Sequence, residues 1–95
     1  MRAAGKSLNP RQLRNRLGLN QQLFWSAVGV TQSGGSRYES GRNMPRPVRE
    51  LVRLVHIEGI DIQRARGEHF AVANHLRANN PALYRRLRQQ ARNKR

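Results

Sequence analysis

Cysteine is absent from this 95-residue chain, which excludes disulfide staples and thiolate zinc sites and suits a reducing compartment. Acidic residues are nearly absent too: five stand against nineteen lysines and arginines. Scattered as they are, they leave no carboxylate pair placed for hydrolysis. Aromatics amount to one Trp, two Tyr and two Phe, few for the base-stacking platforms of single-strand RNA binders. No stretch approaches the roughly 20 apolar residues of a membrane span. Residues 1–10 hold no apolar run of the secretory kind. There is no P-loop and no nucleophile elbow, and the spacing of His56, His69 and His75 fits no zinc motif. These absences predict no enzyme, no metal, no cofactor and no membrane association. The expected location is the cytoplasm, with the nucleoid.

What the chain has is arginine. The formal net charge is +14, and Lys6 and Lys94 are the only lysines in the basic set. A guanidinium pairs bidentately with phosphates and with guanine edges, so the balance points to a polyanion, nucleic acid above all. The excess does not locate a site. Residues 1–60 carry ten basic and three acidic groups, and residues 61–95 carry nine and two. Hydrophobic residues at 37% suffice for one small core.

The pattern along the chain is helical throughout, which predicts an all-α protein: a compact helix bundle plus two C-terminal helices. Residues 1–8 read as a disordered basic arm. Asn9-Pro10 is a cap followed by a first-turn proline. Over 11–17, Leu13 and Leu17 form one inward stripe, ended by Gly18. Asn20 caps a second helix to about residue 28, with Leu23, Phe24, Ala27 and Val28 as its apolar faces, and Gly29 ends it. Thr31 caps a third helix to about residue 40, stopped by Gly41. The two prolines of 42–47 mark a loop. Residues 48–57 resume helical spacing through Val48, Leu51, Val52 and Val55. Gly59 breaks that helix, and Ile60 is expected to tuck into the core. A fifth helix over 68–79 has His69, Val72, Ala73 and Leu76 on one face. Asn80-Pro81 then opens a last helix over 82–92. The domains expected are the arm at 1–8, a DNA-binding domain at 9–60, a helical extension at 61–92 and a basic tail at 93–95.

Two short helices joined by a tight glycine turn make a helix-turn-helix. Gly29 supplies the turn, Val30 plugs the angle, and the helix from Thr31 offers its first turn to DNA. The run Arg14 to Gln21 (R-N-R-L-G-L-N-Q), followed by Gly29-Val30-Thr31-Gln32-Ser33, Glu39, Gly41 and Pro45, resembles the lambda-repressor-like, or Cro/C1-type (XRE), family over roughly residues 9–60. The resemblance implies a bundle of about five helices that binds operator DNA as a dimer. It implies that Gln21 grips a phosphate and braces the recognition helix, that Gln32 and Ser33 contact bases, and that Arg42 and Asn43 meet the backbone. The chemistry agrees for Gln32, since a carboxamide pairs bidentately with adenine. Ser36 and Arg37 lie one turn along, and Arg37 suits guanine. Thr31, at the start of the helix, joins the phosphate-binding set. The resemblance further implies an ion pair between Arg14 and Glu39.

One departure stands out. Such proteins have a small residue where this chain has Trp25 and a branched apolar one where it has Gly35. A Trp opposite a Gly preserves summed volume, so the indole is expected to lie over Gly35, offsetting the helix penalty of Gly34-Gly35, about 1 kcal/mol each. The alternative is an adaptable reading helix that firms up only on DNA. The helices at 68–79 and 82–92 either cap the core of their own domain or pair two copies so that two reading helices meet half-sites about 34 Å apart. The function expected is a sequence-specific double-stranded DNA-binding transcription regulator, a repressor, acting as a homodimer on a palindromic operator. Two other classes stay open: a DNA-binding antitoxin or module that grips a protein partner, and a non-specific RNA-binding basic protein. The sequence leaves the operator and the regulated genes unspecified.

Overall fold

In the computed structural model, residues 8–93 are described, and their regular structure is entirely helical. Helix α1, Pro10–Leu17, starts where the Asn9 side chain accepts the Gln12 N–H at 3.1 Å. It stops at Gly18, whose φ of 73° frees the chain to turn away. Helix α2, Gln21–Ser26, starts at Asn20, which accepts the Leu23 N–H at 2.8 Å. It ends two residues short of the expected position. Val28 and Gly29 tighten onto the carbonyls of Trp25 and Ser26, and Val30 folds back onto Trp25 at 2.9 Å. Helix α3, Gln32–Glu39, is capped by Thr31, whose Oγ1 accepts the Gly34 N–H at 3.1 Å.

Helix α4, Arg46–Val52, corrects the expected loop at 42–47: it begins before Pro47, not after it. A first-turn residue has no intrahelical acceptor for its N–H, so proline loses nothing there. From Arg53 to Ile57 the helix widens into a π-turn, with Glu58 N–H reaching back to the Arg53 carbonyl at 2.8 Å.

The core of this first unit is Leu13, Phe24, Trp25, Val28 and Val52. Phe24 meets Trp25 edge-on at 5.0 Å between centroids and stacks on His56 at 3.9 Å. The His56 Nε2–H donates to the Phe24 carbonyl at 2.8 Å, a carbonyl left open because Val28 N–H turns to Trp25 instead. Leu8, expected in the arm, packs against this core as a half-buried neighbour. The rest of the arm, 1–7, lies outside the described residues, as do Lys94 and Arg95 of the tail.

Three expected core positions on α1 and α2 are corrected. Leu17 is exposed because it is the last residue of α1, a full turn beyond Leu13. Leu23 and Ala27 are exposed as well. On α2 the buried face centres on Phe24, Trp25 and Val28, which puts Leu23 roughly 150° away around the axis. Ile60 is only half-buried.

The chain divides into two units between Ile62 and Gln63. The second is a helical hairpin of α5, Gly67–Asn79, and α6, Pro81–Asn93. Asn80 accepts the Leu83 N–H at 3.2 Å and so starts α6. Among the described residues of this unit none is fully buried. Ala73, Leu76, Leu83 and Tyr84 are half-covered, while His69 and Val72, expected on the inward face, are exposed. Two helices alone can cover only the strip where they touch. His69 instead takes the Arg66 N–H on its Nδ1 at 3.2 Å, at the start of α5.

Candidate nucleic-acid interface

The geometry of α3 follows from what lies beneath it. Gly35 is buried, and a Cβ built there would fall inside the Trp25 indole. The ring therefore occupies the volume a side chain would need, and α3 lies against α2 along that contact. Trp25 itself is fully covered, so its indole N–H needs an acceptor inside the protein. Glu39 supplies it: Nε1 donates to Oε2 at 2.8 Å. Residues 35 and 39 are one turn apart, so a ring lying on Gly35 has its N–H level with the carboxylate.

Glu39 is the hub of the domain. Arg14 donates to both of its oxygens, Nε to Oε2 at 2.9 Å and Nη2 to Oε1 at 3.0 Å. Gln21 Nε2 donates to Oε1 at 3.2 Å, and the Arg11 guanidinium stands 3.6 Å away. The Glu39 side chain is 0% exposed and that of Arg14 16%. Burial works to raise the Glu39 pKa. The hydrogen bonds from Arg14, Trp25 and Gln21, with the Arg14 charge, outweigh it and bring the carboxyl down to about 2 from an ordinary 4.5. The acid stays ionised and ties α1, α2 and α3 together. Arg14 also donates to the Leu19 carbonyl at 3.0 Å, bracing the turn between α1 and α2.

With its inner face fixed, α3 presents the other. Gln32, Ser33 and Arg37 are exposed and Ser36 is half-buried. The four fall within roughly 140° of arc on a helix of 100° per residue. Thr31 sits at the head of this face, its hydroxyl committed to Gly34 and 3.4 Å from that of Ser33. Arg42 and Asn43 follow on the loop, both exposed; Arg42 N–H bonds the Arg37 carbonyl at 3.1 Å and fixes the loop to the helix end. They line a polar recess of about 270 Å³ together with Asn9 and Arg49. Gln21 is half-buried, with one amide hydrogen given to Glu39.

The three glutamates of the unit are spent on its own arginines. Glu39 is paired as above, and Arg53 reaches both Glu50 at 3.0 Å and Glu58 at 3.3 Å. Among the described residues Arg37, Arg42, Arg46 and Arg49 form no ion pair. Cationic charge is thus left on α3, the loop after it and the start of α4. Among the described residues there is no group of three metal-ligating side chains and no helix long and apolar enough to cross a membrane.

Residues 11–55, from α1 into the π-turn, match the model of a protein family described as the RsaL-like HTH domain. The chain carries a helix-turn-helix domain. In that domain α2 and α3 are the two helices of the motif, joined by the turn at Gly29 and Val30. The match covers just under half of the chain and does not single out the Cro/C1 type. Among curated proteins and solved structures, none matches. Sequence reasoning missed three members of this site: Trp25 and Arg11 as partners of Glu39, and Arg49 beside Arg42. A signal existed for the first, since a buried indole N–H demands an acceptor. None existed for the other two, which depend on how α1 and α4 approach the end of α3.

Proposed function

We propose that this chain is a sequence-specific regulator of transcription, a repressor of the Cro/C1 type that binds double-stranded DNA and acts by occupying its operator, with no catalysis. The observation that carries the reading is the first turn and a half of α3: polar, exposed and mounted on a buried ionic hub that fixes its direction. Base recognition needs donors and acceptors held to a fraction of an ångström. Gln32 reads adenine, Arg37 reads guanine, and Ser33 and Ser36 fill the arc between them. Thr31, Arg42 and Asn43 hold phosphates, and Gln21 joins them with its remaining amide groups while bracing the reading helix. The operator is palindromic and the protein binds it as a homodimer, the α5–α6 hairpin pairing the copies. The site of action is the cytoplasmic nucleoid.

Selection from random duplexes with the purified protein tests this. Wild type is expected to yield a palindromic motif at physiological salt. Gln32→Ala and Arg37→Ala each relax one position of it, at a cost of about 1–3 kcal/mol for the matched base. Arg42→Ala weakens all sequences alike. Equal retention of every duplex by wild type would refute the reading.

A further inference from the structure

We infer that the outer face of α6 is a second nucleic-acid contact, an arginine stripe that lies along the phosphates of the duplex held by the helix-turn-helix. It rests on the reading that this domain holds duplex DNA. Helix α6 spans thirteen residues and carries Arg85, Arg86, Arg88 and Arg92 without one acid. All four are exposed, and among the described residues none forms an ion pair. The spacing is ordered. Arg85, Arg88 and Arg92 stand at i, i+3 and i+7, within roughly 60° of arc and over about 10 Å of helix axis. Successive phosphates of a strand rise roughly 3.4 Å along the duplex axis and wind around it, so a row of this length with long, flexible arginine stems reaches two or three phosphates of one strand.

The stripe is costly to the helix that bears it. Like charges three and four residues apart repel, and a glutamate among them would relieve this. Helix α5 has such a balance, one Glu68 and one Arg77; α6 has none. A polyanion supplies the missing counter-charge. One member of the stripe also has a partner within the hairpin. Leu83 and Tyr84 are half-covered within the hairpin, and the Arg88 guanidinium stands 6.0 Å from the Tyr84 ring. Phosphate, not base, is the chemistry it fits, because α6 exposes no aromatic ring on which an unpaired base could stack. Once the helix-turn-helix holds a duplex, the tether of one chain presents α6 to that polyanion at high effective concentration. A basic amphipathic helix could instead meet an anionic bilayer, so the test includes one.

The test is the salt dependence of binding of the full chain to a mixed-sequence duplex, between about 50 and 200 mM salt. The variant R85Q/R88Q/R92Q keeps good helix formers; its fold is checked by circular dichroism. The control R16Q/R66Q/R77Q removes the same charge elsewhere. We expect the stripe variant to lose about 2 to 3 units of log–log slope, with the selected motif unchanged, and the control to lose fewer than one. An unchanged slope in the stripe variant overturns the proposal, as does an equal loss in the control, which would make net charge the cause. So does a stripe variant that keeps its duplex slope but no longer binds phosphatidylserine vesicles. A wild type with no sequence preference, but with the stripe's share of the slope intact, overturns base reading and leaves the second contact standing. A chain that binds no duplex overturns both.

Discussion

The two units of this chain use similar helices to opposite effect. The first buries Phe24, Trp25 and Val52 completely and sinks a carboxylate among donors from α1 and α2. In the second no described residue is buried, and Phe70, Val72 and Leu87 remain open to solvent. The difference is a matter of how many elements converge. Four helices can enclose an indole and satisfy its N–H; two can only touch along a line. Buried packing is therefore concentrated beneath α3, the helix proposed to read bases, and the hairpin is left with a surface.

The largest expected break in that contrast is Trp25→Ala. It removes the biggest side chain of the core, leaves a cavity over Gly35 and deprives Glu39 of a donor. Such truncations cost about 3–5 kcal/mol, a large share of what a domain this small can hold. Denaturant melts followed by circular dichroism should show the first unit unfolded or nearly so. A midpoint within experimental error of wild type would mean that the two units differ far less than their burial implies.

Glu39→Ala comes next. Removing the carboxylate strands Arg14 and the Trp25 N–H, and the loss should be about 2–3 kcal/mol, below the range for a fully buried pair because Arg14 keeps some water. An unchanged melting midpoint would refute a structural role for the pair. Acid sharpens the point. The Glu39 carboxyl titrates near 2 in the folded chain against an ordinary 4.5, so the folded state binds fewer protons than the unfolded one between those values. The stability it contributes is complete above pH 4.5 and drains away as pH falls towards 2. Glu39→Gln should flatten that part of the pH profile, and a profile parallel to wild type would exclude Glu39 as its source.

The same contrast explains what could be read in advance. Helix starts were legible because their chemistry is local: Asn9, Asn20, Thr31 and Asn80 each accept an N–H three residues on. Gly18 and Gly29 mark reversals for the same reason. Arg14 and Glu39 could be named as partners from a resemblance, and Trp25 placed over Gly35 from complementary volumes. The convergence of Gln21, Trp25 and Arg11 on one acid could not, because it spans 14 to 28 residues and is decided by three helices meeting. Leu17, Leu23 and Val72 were misplaced by a different failure. Periodicity states which face is apolar; it carries nothing about whether another element arrives to cover it.

The smallest expected effect lies in the hairpin. Leu87 is 40% exposed and lines an apolar groove with Val72, Ala73, Leu76 and Tyr84. Leu87→Ala in dilute protein should cost less than about 1 kcal/mol, because a side chain already half in water has little transfer free energy left to lose. If two copies pair through this groove, the cost must grow with protein concentration, since the leucine is then buried in the dimer alone and mass action sets how much dimer there is. Melts of wild type and variant across a hundredfold range of concentration separate the cases. A small, constant difference leaves the hairpin as a surface without a partner copy. A difference that is large even in dilute protein would show that two helices have built a core after all, and the contrast between the units would fail.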